Sequence, residues 1–281
     1  PVFWSAVVAA CGTAVYVAFG GQTSVIMTDL AQALLLLGVG IGLFIAGVYH
    51  VGGWEAFWTG LPEAYRLGLA GFKEPSAFHT MGIFWQDAMV GGVAFYFINK
   101  GVMMSFMSAR NVAEGRKAVA LVVLVVMPLA AISVAGVGWV ARVMAGTGEI
   151  SPMTDPDGVF IIVSNILAMP GVFGLIMAAL VAALMSTVDT LVTATSAVIV
   201  NDIWTPYFAK EGEDDRHTLK VARITTVAAS ATALSIVPLF MQFDTIFTAH
   251  AAFTAAVVPP MAVTLILGIT WPRFGTKSAV L

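Results

Sequence analysis

A series of side-chain oxygens interrupts an apolar segment near the middle of the chain. The stretch AALMSTVDTLVTATSAVIVND, residues 182–202, begins with Ala, Leu and Met and then carries the carboxylate Asp189. The hydroxyl side chains of this stretch are those of Ser186, Thr187, Thr190, Thr193, Thr195 and Ser196. Hard cations bind to oxygen ligands, so hydroxyls and backbone carbonyls in this stretch can supply a site for a monovalent cation.

Helical spacing places these oxygens on one stripe. Positions three and four apart share a face of a helix, and the stripe contains Ala183, Ser186, Thr187, Thr190, Thr193 and Ser196. Hydroxyls alone favour another interpretation, because Ser and Thr are common where membrane helices pack closely. Asp189 changes the balance, because an acid at bilayer depth is costly and usually lines an ion or substrate path.

A second acid lies in another apolar segment. The sequence GGQTSVIMTDLAQALLLL places Thr28, Asp29 and Gln32 inside a hydrophobic run. Asp29 can approach the hydroxyl stripe only if the two helices pack together. The alternative is a structural carboxylate that is satisfied by Thr28 or by a helix outside this chain.

A pair of glycines interrupts a third segment, VGGVAFYFINKG. Gly91 and Gly92 weaken a helix, and Phe95, Asn99 and Lys100 follow them. Interrupted helices are a pointer to transporter binding sites, because their freed backbone groups can contact a ligand. Close helix packing is the alternative explanation, and the sequence leaves both open.

Composition indicates that the surface of this chain faces lipid. The 281 residues are 59% hydrophobic and 10% charged, whereas ordinary soluble domains are about 45–50% apolar and about 25% charged. We count seven segments long and apolar enough to span a membrane: 2–20, 24–49, 82–108, 116–141, 171–203, 219–241 and 245–269. The prediction is an all-α polytopic protein of the cell membrane, with residues 1–281 as a single transmembrane domain.

Basic residues set the expected orientation, because cytoplasmic loops carry an excess of Lys and Arg. One set of alternate loops contains Arg110, Arg116, Lys117, Lys210, Arg216, Lys220, Arg223, Arg273 and Lys277. The opposite set contains only Arg66, Lys73 and Arg142. Loops 109–118, 206–218 and 270–281 are therefore predicted to be cytoplasmic, and segments 50–80 and 143–169 external.

Several classes of function find no support. No basic tract suggests a nucleic acid partner, and a single cysteine, Cys11, excludes an internal disulfide and a cysteine metal cluster. No HExxH or GxSxG motif occurs, and the four histidines are scattered at positions 50, 79, 217 and 250, so we expect no enzyme. The terminal KSAVL looks like the start of a further apolar segment, and we expect a fragment of a longer chain.

Four stretches resemble the sodium/solute symporter family. AALMSTVDTLVTATSAVIVNDIW is similar to its eighth core helix, and GGQTSVIMTDLAQ to its fifth. FINKGVMMSFMSARNVAEGRKA is similar to the exit of its sixth helix, and PPMAVTLILGITWPRFGTKSA to the end of its tenth. The resemblance implies a LeuT-type fold of two inverted repeats of five helices, with core helices four to ten in this chain and earlier N-terminal helices of the same protein outside it.

The resemblance also implies two cation sites. The main sodium site takes the carbonyl of Ala183 and the hydroxyls of Ser186 and Thr187, together with carbonyls of the first core helix. A second site, for sodium or a proton, falls on Asp29, Asp189 and Thr190. Many family members carry hydroxyls where this chain has Asp189, and the two carboxylates can bind sodium more tightly or share a proton.

The substrate pocket departs from the sugar-transporting members. Gly92 and Phe95 stand where those members have an Asn and a covering aromatic residue, and Asn99 begins the sixth-helix exit. Leu124 stands where they offer a Lys, which argues against a galactose-type pocket. His250 and Thr254 in the last helix are further candidates for the cavity, and a structural hydrogen bond near the external face is equally open for His250.

The expected function is secondary active transport, with inward sodium flow driving uptake of a small polar solute across the bilayer. The alternative is a sensor, because similar domains occur joined to signalling kinases in bacteria. Solute identity, ion stoichiometry and oligomeric state do not follow from the sequence.

The first prediction concerns topology. In a Cys11-free background, single cysteines at Gly115 and Gly212 should react with impermeant reagents from the cytoplasmic side, because their loops are rich in Lys and Arg. Cysteines at Gly71 and Gly148 should react from outside. Labelling of Gly115 and Gly148 from the same side would contradict the helix assignment.

Overall fold

The computed structural model describes residues 2–66, 99–151, 155–209, 214–275 and 278, and within these ranges the chain is helical with no strand. Five helices of the described part are long and apolar enough to cross a membrane: Phe3–His50, Val112–Gly146, Pro170–Tyr207, Asp215–Phe240 and Thr248–Thr270. The all-α, polytopic prediction is confirmed. The count of seven spans stays a prediction, because most of segment 82–108 lies outside the described residues.

The first helix, α1 (Val2–His50), is broken at one glycine. An unbroken helix of 49 residues, at about 1.5 Å per residue, would be more than twice as long as the roughly 30 Å hydrocarbon core. Gly21 has φ of 61° and ψ of −161°, a conformation that is open almost only to glycine. The break lies within the GGQT sequence expected to separate two spans, so α1 consists of two helical halves.

Two long helices each contain a π-helical turn followed by a proline. The first comprises α5 (Val112–Leu121), a π-helical turn (Val122–Val126) and α6 (Met127–Gly146). The second comprises α8 (Pro170–Val198), a π-helical turn (Ile199–Trp204) and α9 (Thr205–Tyr207). Pro128 and Pro206 lack an N–H, and their rings clash with the preceding turn. A wider turn at each proline accommodates this clash.

Shorter elements and two further long helices complete the described part. The elements are α2 (Trp54–Gly60), α3 (Glu63–Arg66), α4 (Lys100–Met107), a 3₁₀ turn (Pro156–Gly158), α7 (Val159–Leu167), α10 (Asp215–Phe240) and α11 (Ile246–Thr270). Side chains cap two of the helices. Asn111 accepts a hydrogen bond from the N–H of Glu114 at the start of α5, and Thr245 and Thr248 form a capping box on α11.

The chain divides into two compact units. The first comprises residues 1–62 and 104–239, and the second comprises residues 63–103 and 240–281. The expected single domain over 1–281 stays a prediction. In the second unit, Phe240 contacts the rings of Phe243 and Phe253, with centroids 6.3 and 5.9 Å away, so aromatic packing joins the start of α11 to the turn before it.

The core of the first unit lies between the second half of α1 and the helices α2, α6, α7 and α8. Its most buried side chains include Phe57, Val137, Val140, Met144, Val163 and Ile176. The ring of Phe57 meets that of Phe44 edge-on, with centroids 5.6 Å apart. This core fixes the second half of α1 against α6 and thereby positions the polar residues of α1.

Glycines allow α1 and α6 to approach closely. A Cβ atom built on Gly40 would lie 2.7 Å from the backbone oxygen of Ser133, and one built on Gly47 would lie 2.7 Å from Val140. The Ser133 hydroxyl donates to the Leu36 carbonyl at 3.1 Å. Small residues at this interface therefore permit backbone contact, as in other membrane helix pairs.

Substitution of Gly40 tests this packing. Gly40→Ala should lower the free energy of unfolding by about 1–3 kcal/mol, because the backbone of Ser133 has to move. Gly38→Ala is the matched control on the same helix, because its new methyl group would have no atom within 4 Å. Thermal unfolding of the purified protein in detergent measures both variants, and equal stability of the two would contradict the assigned contact.

Candidate cation site

Five side chains from three helical segments form a polar group inside the first unit, which we call the acid cluster. Tyr16 comes from the first half of α1, Asp29 from its second half, and Ser186, Asp189 and Thr190 from α8. The long helix α8 packs against α1. Because Gly21 breaks α1, residues on both sides of the break reach α8.

The carboxylate of Asp29 accepts hydrogen bonds from two hydroxyls of α8. Its Oδ1 accepts a short hydrogen bond from the Ser186 hydroxyl, and its Oδ2 lies 3.3 Å from Oγ1 of Thr190. Ser186 and Thr190 are four positions apart, so they share one face of α8. Asp29 therefore meets the hydroxyl stripe expected from the sequence.

Asp189 is fully buried, with no exposed surface. Its Oδ2 accepts a short hydrogen bond from the Tyr16 hydroxyl, and its Oδ1 lies 3.3 Å from Oγ1 of Thr190. The same Thr190 oxygen is thus within hydrogen-bond distance of both carboxylates, which places them at most two hydrogen-bond lengths apart.

The charges of the cluster are not balanced by nearby basic groups. Within the described part of the chain, no Lys, Arg or His side chain forms an ion pair with Asp29 or Asp189. Thr190 has one proton, so it can donate to only one carboxylate at a time. Three hydroxyl protons face four carboxylate oxygens, and two adjacent anions repel strongly in a medium of low dielectric. The arrangement suits a shared cation or a shared proton.

The alternative in which Thr28 satisfies Asp29 is not what the structure shows. The Thr28 hydroxyl donates within its own helix, to the carbonyls of Ser24 and Val25 at 2.9 Å. Gln32, one turn beyond Asp29, has a side-chain oxygen that is buried with no hydrogen-bond partner among the described residues. An unsatisfied acceptor at this depth is costly.

The residues assigned to the main sodium site lie on the same stretch of α8. The Thr187 hydroxyl donates to the Ala183 carbonyl at 3.2 Å, and the Thr187 side chain is exposed. Ser186 points instead to Asp29. The structure thus brings Ala183 and Thr187 into contact and joins Ser186 to the acid cluster, while cation binding by these groups stays a prediction.

The candidate substrate residues are only partly described. Gly92 and Phe95 lie outside the described residues. Asn99 accepts a hydrogen bond of 3.1 Å from the N–H of Val102 and so caps the start of α4. In α11 of the second unit, Nε2 of His250 lies 3.5 Å from the Thr254 hydroxyl, which is a weak contact. A role in solute binding stays a prediction for all five.

Tyr16 is the member of the cluster that the sequence did not reveal. It lies in GTAVYVAFGG, and one tyrosine in an apolar helix is unremarkable. Its three-residue spacing from Thr13, which is fully buried, is a weak signal of a polar face. Only the path of the chain around Gly21 brings Tyr16 to Asp189.

Removal of the Tyr16 hydroxyl tests the cluster without reference to function. Tyr16→Phe should lower the free energy of unfolding by about 1.5–3 kcal/mol, because a hydrogen bond to a charged group is lost. Tyr49→Phe is the control, since Tyr49 on the same helix is 85% exposed. In the Asp189→Asn background the cost of Tyr16→Phe should fall by more than about 0.5 kcal/mol. Additive effects of the two changes would contradict the contact.

Comparison with known proteins supports the resemblance. The model of the family described as "Sodium:solute symporter family" matches residues 3–281. A sodium/glucose cotransporter of Vibrio parahaemolyticus is 23% identical over 303 aligned residues, which cover 100% of this chain and 55% of the relative. The high-affinity proline transporter PutP of Bacillus subtilis is 26% identical, covering 78% of this chain and 44% of the relative.

A human sodium/myo-inositol cotransporter 2 is also 26% identical, covering 95% of this chain and 43% of the relative. The chain spans about half the length of the curated relatives it matches. Transporters rather than enzymes make up this group, and the apolar helices agree with a multi-pass membrane protein. The family match over nearly the whole chain settles the assignment: this chain belongs to the sodium:solute symporter family.

Proposed function

We propose that this chain belongs to a sodium-coupled symporter, which imports a small polar organic solute by alternating access. The observation that carries the proposal is the acid cluster, in which Asp29 and Asp189 converge on the hydroxyl of Thr190. Sodium flow down its gradient would supply the free energy for uptake.

A sodium ion suits the acid cluster on physical grounds. Its charge offsets the repulsion between the two carboxylates, and it accepts lone pairs from carboxylate and hydroxyl oxygens together. A proton is the competing ion, since it can neutralise one carboxylate and restore a donor. Asp29, Asp189 and Thr190 therefore form the proposed second cation site, and Tyr16 orients Asp189.

The main sodium site is proposed on the neighbouring turn of α8. The Ala183 carbonyl and the Thr187 hydroxyl would bind the ion with groups from the first core helix. Ser186 is adjacent to Thr187 and bonded to Asp29, so it would connect the two sites. A substitution at one site should then alter cation binding at the other.

The proposed fold is the LeuT-type inverted repeat, with core helices four to ten in this chain. Support comes from the family match, from the five long apolar helices of the described part, and from the break at Gly21 that divides α1. The two α1 halves would be core helices four and five, and α8 would be core helix eight.

Solute specificity is proposed only as a chemical class. The relatives are named for glucose, proline and myo-inositol, which are small and polar but otherwise unlike. Gly92, Phe95 and Asn99 near the glycine pair, with His250 and Thr254 of α11, are the residues proposed to face the solute.

Neutralising each acid tests the proposal. In the full-length protein, Asp29→Asn and Asp189→Asn should each weaken the apparent sodium affinity at least about tenfold, equivalent to about 1.4 kcal/mol, because each removes a charge from the ion. The double variant should lose less than the sum of the two effects if both acids serve one ion. Solute uptake as a function of sodium concentration measures this loss.

Asp244→Asn is the control, because Asp244 is exposed and lies outside the cluster. Unchanged sodium dependence in both acid variants would contradict the proposed site. Sodium binding without uptake of any solute would instead favour the sensor as the function of this chain.

A further inference from the structure

A cavity with mixed polar and apolar walls lies beside the Gly21 break, within the first unit. Its volume is about 350 Å³, and its walls come from α1 on both sides of the break, the C-terminal part of α8 with its π-helical turn, the start of α10, and Met104 of α4. The acid cluster uses none of the residues that line it.

The inner end of the cavity lies one helical turn from the acid cluster. Thr193 lines the cavity and follows Thr190 by three positions, a rise of about 4.5 Å along α8. Its hydroxyl oxygen is buried and has no hydrogen-bond partner among the described residues. Val17, adjacent to Tyr16, and Thr226 also line the cavity and are only 4% exposed.

The outer end of the cavity is exposed, and its lining mixes polar side chains with those of Phe19 and Leu219. Gln22, Asn201 and Arg223 line it, and all three side chains are exposed. Asn201 and Arg223 flank the loop 206–218, which the basic residues assign to the cytoplasm. The cavity thus extends from an exposed mouth on that side to the helical turn of α8 next to the two carboxylates.

Arg223 is held in place at this mouth. Its Nε donates to the Ala18 carbonyl at 2.9 Å, and its guanidinium lies over the ring of Phe19 at 5.6 Å from the centroid. Both contacts are with the last turn of α1 before the break. A guanidinium is always charged at physiological pH, so a positive charge is fixed beside the opening.

We propose that this cavity is the cytoplasmic vestibule of the acid cluster and that Arg223 is its electrostatic gate. The inference rests on the proposed function, because it assigns a route to the cation held by Asp29 and Asp189. A cation leaving the cluster first meets the Thr193 hydroxyl and then crosses the cavity. The charge of Arg223 raises the energy of a cation at the mouth, so it slows the passage of cations in both directions and lowers their local concentration there.

The test compares reagents of opposite charge at the inner end of the cavity. Thr193→Cys in the Cys11→Ser full-length protein is labelled in inside-out vesicles with cationic and anionic methanethiosulfonates of similar size. Arg223→Gln should raise the ratio of cationic to anionic labelling rates roughly three- to tenfold, because the unit positive charge at the mouth is removed. Arg223→Lys keeps the charge and should leave the ratio near its parent value.

A purely structural role for Arg223 would change both rates together and leave their ratio constant, which would overturn the gate. Labelling of Asn201→Cys but not of Thr193→Cys would show that the cavity ends before the cluster. Ala197→Cys, which also lines the cavity, replaces Thr193→Cys if that variant does not fold. Labelling only from the outside would overturn the cytoplasmic assignment.

Measurement of sodium-driven uptake by the parent protein distinguishes failure of the vestibule proposal from failure of the proposed function. If uptake depends on sodium and the labelling ratio does not respond to Arg223→Gln, only the vestibule is wrong. If uptake of every solute is independent of sodium, the proposed function itself fails.

Discussion

Two carboxylates share one hydroxyl inside an apolar helical protein, and this constraint governs the first unit. Asp189 has no exposed surface, and Asp29 reaches the same Thr190 oxygen. Buried charges are costly unless they are paired, and no basic side chain of the described residues pairs with either acid. Hydroxyl donors from two of the three helical segments meet part of that cost, and a bound cation would meet the rest. Cation binding is therefore proposed as the condition under which this arrangement is stable.

The surrounding fold serves to keep those three segments together. Gly21 turns α1 so that Tyr16 and Asp29 both face α8. About three turns further along α1, Gly40 lets the helix lie directly on α6 at Ser133, which fixes the second half of α1. The π-helical turn that follows α8 precedes Pro206, so the irregular part of that helix lies beyond the acid cluster. Regular helix therefore carries the carboxylates, and the irregular backbone lies near the cavity beside Arg223.

Much of this site could be predicted from the sequence, and the missing parts have physical reasons. Acids in apolar helices are rare enough that Asp29 and Asp189 were evident, and helical spacing placed Ser186 and Thr190 on one face. Tyr16 was missed because its contact depends on the chain direction after Gly21, which a residue pattern does not encode. The alternative partner considered for Asp29 was Thr28, but the Thr28 hydroxyl bonds to its own helix. Hydrophobic runs predicted the long helices, whereas their division into two compact units depends on contacts distant in sequence.

The most direct test of the central claim is the infrared difference spectrum of the full-length protein with and without sodium, at constant ionic strength. If sodium binds between the two acids, its addition should shift carboxylate stretching bands. Those bands should change in both Asp29→Asn and Asp189→Asn, because one ion contacts both groups, and they should persist in Asp244→Asn. A sodium-induced spectrum that is the same in the parent protein and in both acid variants would contradict the claim that these carboxylates hold the ion.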